Sequence, residues 1–412
     1  MTIAATARTS ENGRDPASLI GVARLAKMAF DRTDMNPVQE DLVARIVRDP
    51  GDVAALMDLA SVNVLFGLRA DGLRLQALAL RQNRLYRRPP TIPDAAPIRL
   101  LAFMAPGDFM ANAPLEFLLE GSNVSLDMLY VEPGAALPEA IPEHDLAIVA
   151  VGESDANRAI LREVASLVRS WPRPVLNAPE RIAALSRDAA CARLGATGGM
   201  VIPRTVRIAR SNLALVALGA TTVASVLADG AFPIIARPIF SHAGDGLAKL
   251  DDPAAVADYL RTRPERQFYV SPFVDYRSAD GLFRKYRVAL IDGQPYASHM
   301  AVSEHWMVHY LNAGMTESAA KREEEARFMA AFDGDFALRH AAALRALAEG
   351  VGLEYFAIDC GELPDGSLLL FEADVAMIVH AMDPPDMFPY KGPQMRKVFA
   401  AFHAMLRKRA RA

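Results

Sequence analysis

The chain is poor in cysteine: Cys191 and Cys360 are the two it contains in 412 residues. That number excludes a disulfide framework, the spacing excludes a zinc motif, and a reducing compartment, the cytoplasm, is the simplest setting. It also lacks net charge of either sign, with 45 lysines and arginines against 49 acidic residues. Electrostatics therefore gives no reason to expect nucleic acid or a membrane surface as partner. The basic tail at Arg407, Lys408, Arg409 and Arg411 reads as a solvated helix end. Long apolar runs are missing too. The longest, Leu213 to Ala228, is broken by Thr221, Thr222 and Ser225, whereas a membrane helix needs about 20 mostly apolar residues. It predicts one helix, followed by a strand from Phe232 to Pro238. Met1 to Ser10 has no apolar h-region of a signal peptide. Three signatures are absent as well: a G-x-S-x-G elbow, a G-x-x-x-x-G-K-[ST] loop, and a G-x-G-x-x-G following a strand. Serine hydrolases of that fold, P-loop kinases and dinucleotide sites lose support accordingly.

What is present changes character along the chain. Length alone proposes two to four domains, and hydrophobic residues at 52% supply material for packed cores. From Pro16 to Arg88 the apolar spacing is helical throughout. The stretch from Asp49 through Gly72 reads as a helical hairpin that must bury its apolar face on a neighbour. It resembles a tetratricopeptide unit, and residues 1–92 are assigned as this helical segment. Arg87 to Pro93 reads as a linker. Ile98 to Met104, Val124 to Tyr130 and Leu146 to Val151 alternate with helical segments and predict a parallel α/β layer over 93–180. From 181 to 412 strands with hairpin turns interleave with helices, an α+β body.

Three constellations in that body carry chemistry. Two apolar runs joined by Asp365-Gly366 predict a hairpin with a two-residue turn. In that register Asp359 lies opposite Glu372, and Asp374 shares their face. Like charges so placed need compensation. A hard divalent cation supplies it, and so does a solvated face with a different turn; both readings stay open. Next, a strand through Arg237 leads into Ser241-His242-Ala243-Gly244-Asp245-Gly246, where small residues let backbone N–H groups cradle an anion. Most glycine hairpin loops bind nothing, so this feature alone decides little. Finally, Arg284-Lys285-Tyr286-Arg287 puts Lys285 and Arg287 on one strand face, either toward phosphate or along a solvated edge. His305 and His309 have helical metal-pair spacing but not the H-E-x-x-H order, and polar or packing roles suit them better.

The order of these features resembles the ATP-grasp superfamily, particularly glutathione synthase and the ribosomal-protein glutamate ligases, from about Pro97 to the C-terminus. The resemblance implies an ATP-grasp fold behind a Rossmann-like α/β domain. It implies ATP and Mg²⁺ as cofactors: Arg237, Ser241, His242, Gly244 and Gly246 at the triphosphate, Val270 and Phe273 at adenine, and Asp359, Glu372 and Asp374 on the metal. It places Arg287 and Arg237 at the transferred phosphoryl group. Family lysines are replaced by Arg237 and missing around Ser186 to Ala190, and Asp374 stands where asparagine is usual. The implied activity is carboxylate–amine ligation through an acyl phosphate; the alternatives are a non-catalytic nucleotide-binding adaptor and phosphorylation of a small molecule. Small carboxylates and amines, amino acids or peptides among them, are the expected substrates. Ser298 to Met315 and Met377 to Lys391, with His299, His309, His380 and Lys391, are the expected place for them. The N-terminal helices offer a surface for a protein partner, and a homodimer is left open.

Overall fold

A computed structural model describes residues 17–93, 96–195, 198–239, 241 and 244–411. The architecture is mixed α/β, in two compact units: one comprises the residues up to Val151 with Ala159–Leu176 and those from His403 on, the other Gly152–Arg158 and Asn177–Phe402. The helical segment and the α/β strands thus share one unit.

In the first unit four helices, Val22–Phe30, Asn36–Arg48, Val53–Leu65 and Arg69–Gln82, occupy the predicted helical region. Asp52 caps the third, its carboxylate accepting from the Ala55 N–H at 2.9 Å. That helix is buried along most of its length and packs with Leu25, Met35 and Leu42 into one core. The last two helices close as a hairpin because Gly72 has no side chain: a Cβ there would lie 2.7 Å from the Ala60 carbonyl oxygen.

The region is not wholly helical. Ala17–Ser18 (β1) and Leu85–Arg88 (β2) are strands. With β3 (Ile98–Met104), β4 (Val124–Tyr130), β5 (Leu146–Val149) and β6 (Val175–Leu176) they form a sheet of order β1-β2-β4-β3-β5-β6. The predicted parallel pairing holds for β3 with β4 and β5, and for β5 with β6. Arg87, expected in a linker, instead belongs to β2. Asp127 faces it across the antiparallel ladder and accepts both ends of its guanidinium at 2.7 and 2.9 Å, so the arginine pair extends the strand before the prolines stop it.

The second unit contains β7 (Met200–Val201) and two antiparallel bodies. β8 (Val206–Ala209), β9 (Ile234–Pro238), β10 (Ala248–Leu250) and β11 (Gln267–Pro272) make one sheet, ordered β10-β9-β11-β8. Helices Arg210–Ala217 and Pro253–Thr262 cover it, with Leu213, Val216, Val256, Tyr259 and Phe268 in the core. The expected single helix from Leu213 to Ala228 is two: Gly219, at φ +68°, ends the first, and a short turn, Val223–Val226, follows. β12 (Phe283–Ile291), β13 (Gln294–Ser303), β14 (Tyr355–Glu362) and β15 (Leu368–Asp374) form the other sheet, ordered β13-β12-β14-β15-β7. The β12–β13 hairpin turns on Asp292-Gly293, as their sequence predicts, both with positive φ. No helix among the described residues is long and apolar enough to cross a membrane.

Candidate functional site

β14 and β15 place Asp359 opposite Glu372, and Asp374 opposite Ala357, two positions along the same face. The turn differs from expectation. Leu363 N–H donates to the Ser367 carbonyl at 2.9 Å, so Pro364, Asp365 and Gly366 form a three-residue loop, with Gly366 at φ +83°. That slips the register by one. A bulge between Leu370 and Glu372 restores it, leaving Phe371 as the extra residue. The aromatic ring of Phe371 packs against Tyr276 at 5.0 Å, a long-range contact that local turn rules do not contain.

β12 lies between β13 and β14, which removes the edge-strand reading of its basic cluster. Alternation sorts the side chains as expected. Lys285 and Arg287 both reach Asp359: Nζ donates at 2.9 Å, and Nε and Nη2 of Arg287 at 2.8 and 3.0 Å. Arg284 turns the other way, to Asp280 and Glu324. Burial alone would raise the Asp359 pKa, but the charges of Arg287 and Lys285 outweigh it and hold the carboxyl well below its usual range.

Glu372 is ion-paired with Arg187, the first residue of the helix Arg187–Leu194. Arg187 also donates to the Phe371 carbonyl at 2.9 Å, the carbonyl of the bulge residue. Asp374 accepts the Ala376 N–H at 3.0 Å, and burial pushes its pKa up to about 6. Burial, with Asp374 nearby, pushes Glu153 up to about 7.

Arg237 sits on β9 opposite Tyr269 of β11. Its guanidinium donates to Ser241, from Nε to Oγ at 3.2 Å and from Nη2 to the carbonyl. Among the described residues it has no carboxylate in ion-pair contact. Burial first, then the neighbouring charge of Arg187, push its pKa down to about 9. Arg237 thus feels the charge of Arg187 and, among the described residues, has no carboxylate paired with it.

The loop after β9 is held by the chain itself. Ser241 Oγ donates to the Pro238 carbonyl at 2.9 Å, and the Tyr259 hydroxyl donates to the Gly246 carbonyl at 2.7 Å. Gly246 has φ +66°, and a Cβ there would lie 2.6 Å from the Pro238 ring. Gly244, at φ +80°, faces Met307. His242 lies outside the described residues.

Val270 is fully buried in the sheet core, and its backbone pairs with Ala236 on one side and Val206 on the other. Phe273 is half-buried just beyond that strand; its ring meets Trp306 edge-on at 5.7 Å and lies under Lys249 at 4.8 Å.

The two segments expected to hold substrates do meet. Lys391 reaches Asp383 at 3.1 Å, Glu325 at 3.4 Å, and the Tyr310 hydroxyl. The His299 ring is 4.7 Å from Tyr310, and its buried Nδ1 has no hydrogen-bond partner among the described residues. Burial, then Lys285 and Arg287, lowers the pKa of His309; burial pushes His380 down to about 4. His305 and His309 fall in a loop before the short helix Tyr310–Asn312, so they form no helical pair.

Arg187 is the residue that sequence reasoning missed. The family resemblance expects a lysine between Ser186 and Ala190, and arginine standing in for lysine, as at Arg237, is the signal that points to Arg187.

As the side chains stand, the carboxylates do not fit a divalent cation. Asp359 spends both oxygens on Lys285 and Arg287, and Glu372 is neutralised by Arg187. Among the described residues no three His, Cys, Asp or Glu are grouped so as to hold a metal ion.

No family profile matches the chain. No curated protein matches it either. Among solved structures it is similar to a RimK-domain ATP-grasp protein from Sphaerobacter thermophilus, with 14% identity over 74% of this chain and 98% of that one, at TM-score 0.40. It is similar to D-alanine–D-alanine ligase from Bacillus anthracis complexed with ATP, with 12% identity, 76% and 98% coverage and TM-score 0.46. The VanG D-Ala:D-Ser ligase from Enterococcus faecalis gives 13% identity, 76% and 100% coverage and TM-score 0.45. At that distance the likeness carries no role to any side chain here.

Proposed function

We propose that the protein is an ATP-dependent carboxylate–amine ligase. The observation that supports it best is Arg237 at the foot of a glycine loop, hydrogen-bonded to Ser241, with no carboxylate in ion-pair contact among the described residues and with the charge of Arg187 acting on it. A desolvated cation left without a counter-charge costs several kcal/mol, and an anionic ligand removes that cost. Guanidinium forks match phosphate oxygens, and backbone N–H groups around Gly244 and Gly246 extend the match along a polyphosphate. Phe273, beside Trp306, offers a face for the base.

In the reaction a substrate carboxylate oxygen attacks the γ-phosphorus, the bond to the β-phosphate oxygen breaks, and ADP leaves with its electron pair. The amine nitrogen then attacks the acyl carbon, the bond to phosphate breaks, and a proton leaves the nitrogen. Arg237 and Arg187 offset the charge that spreads over the transferring phosphoryl oxygens. Arg287, on β12 of the other sheet and anchored by Asp359, adds a fixed positive charge. The loop from Ser241 to Gly246 keeps water from the acyl phosphate. Lys285, whose ammonium keeps N–H donors beyond its bond to Asp359, provides donors for the substrate carboxylate. Magnesium on Asp359, Glu372 and Asp374 is the counter-ion the sequence resemblance implies; since those carboxylates do not fit it as they stand, no step is assigned to it.

ADP release measured against a panel of amino acids and small carboxylic acids, each with and without added amines, tests this reading. Amide formation coupled to ADP is the expected result. ADP with a phosphorylated product and no amide would replace the ligase with a kinase. Nucleotide binding without turnover across the panel would leave an adaptor.

A further inference from the structure

We infer that this site binds polyphosphate through guanidinium groups without requiring a divalent cation, and that Asp359 and Glu372 position those cations rather than ligate metal. The inference rests on the nucleotide reading above, and it changes what neutralises the phosphates.

Asp359 is buried and accepts three charge-assisted hydrogen bonds from two cations. Glu372 is paired with Arg187, which is fixed a second time by the Phe371 carbonyl. A divalent cation seated on these oxygens would have to displace Lys285, Arg287 and Arg187, leaving three side-chain cations beside it in a setting short of water. The repulsion opposes that exchange.

The cations, by contrast, are ready for an anion. Arg287 has Nε and Nη2 on Asp359, and its Nη1 donates to the Ile378 carbonyl at 3.0 Å, so its plane is fixed. Arg187 is fixed through Nη1 on the Phe371 carbonyl and Nη2 on Glu372. Arg237 is held by Ser241 alone among the described residues. A fixed fork loses little freedom on taking a phosphate oxygen. Bulge and turn together serve this arrangement: the extra residue Phe371 turns its carbonyl to Arg187 while Glu372 stays opposite Asp359.

The test is calorimetric titration of the full chain with ATP and with inorganic tripolyphosphate, in EDTA and in excess Mg²⁺, together with Mn²⁺ titration alone followed by EPR. ATP affinity in EDTA within about threefold of that in Mg²⁺, and no stoichiometric Mn²⁺ binding by the free protein, are the expected results. ATP binding that appears only with Mg²⁺, or one tightly bound Mn²⁺ per chain, overturns the inference and leaves the nucleotide reading standing. No ATP binding in either buffer overturns both. Two variants sharpen it. Glu372→Gln removes the carboxylate that positions Arg187 and should weaken ATP binding in EDTA and in Mg²⁺ by the same factor; a loss confined to the Mg²⁺ buffer would make Glu372 a metal ligand after all. Arg187→Met should weaken binding in EDTA by about tenfold or more, the size of a lost charge-assisted hydrogen bond, with its circular dichroism unchanged; unaltered affinity in a folded variant overturns the role of the arginine pair.

Discussion

Buried charge is used in opposite ways in the two units. In the first, Asp58 is 2% exposed, and its oxygens accept the N–H groups of Ile20 and Gly21 at 2.8 and 3.1 Å. Glu116, also buried, accepts from Ala23 and pairs with Arg88 at 3.6 Å. Both carboxylates are spent on the start of the helix Val22–Phe30, where the helix dipole favours negative charge. In the second unit Arg237 spends its donors on one serine and, among the described residues, has no carboxylate in ion-pair contact. A carboxylate consumed by its own chain is architecture, whereas a cation with donors left over is poised for something from solution.

Asp359 belongs by this criterion with the architectural charges, and replacing it should have the largest effect. Asp359→Asn leaves Lys285 and Arg287 buried without their partner, at a cost of about 3–5 kcal/mol in urea unfolding. The pH dependence has a definite sign. The native pKa lies below the ordinary value, so the contribution is complete above about pH 4 and is lost as pH falls further. A loss under 1 kcal/mol in the variant would place Asp359 with the unspent charges.

Asp58→Ala comes next. Two buried N–H groups lose their acceptor, which costs about 2–4 kcal/mol. Here the sign reverses. Burial pushes the native pKa of Asp58 up to about 6, so the native state takes up a proton before the unfolded chain does. Wild-type stability should therefore gain from this group as pH falls from about 6 to about 4. Unfolding curves of Asp58→Ala should lack that gain, and an identical pH profile would remove Asp58 from the account.

Much of this contrast was legible in the chain, for uneven reasons. Strand alternation put Lys285 and Arg287 on one face because a two-residue period needs no distant information. The pairing of Asp359 with Glu372 was also legible, though by a route the molecule does not take: the loop is one residue longer than Asp365-Gly366 implies, and the bulge at Phe371 cancels the slip. Nothing local announces that bulge. The state of the carboxylates was not legible, since the Arg187–Glu372 pair joins residues far apart in sequence. Nor was the strand character of Arg87, which depends on Asp127 in another strand.

Arg237→Met puts function and stability in opposition, which no architectural charge should do. Removing a desolvated cation that has no ion-pair partner among the described residues should leave the fold unchanged or raise its stability by about 1 kcal/mol. ATP affinity should nevertheless fall about tenfold or more. Unfolding in urea and calorimetric titration of the same preparation read the two effects together. If stability and affinity fall in parallel, Arg237 is structural and the contrast with Asp58 disappears.

Ser241→Ala has the smallest expected effect and makes the finest cut. Ser241 Oγ accepts from Arg237 and donates to the Pro238 carbonyl, so it both steers the guanidinium and ties the loop to its strand. Losing a neutral hydrogen bond of this kind costs about 1 kcal/mol. If the oxygen mainly ties the loop, the loss appears in urea unfolding and ATP affinity drops by the same small factor for every polyphosphate. If it mainly steers Arg237, stability barely moves, while the released guanidinium binds ATP and tripolyphosphate with a changed ratio. Ser241→Thr keeps the hydroxyl and should restore that ratio. The carbonyl of residue 241, which also accepts from Arg237, survives both substitutions and keeps the effect on affinity below that of removing Arg237 itself.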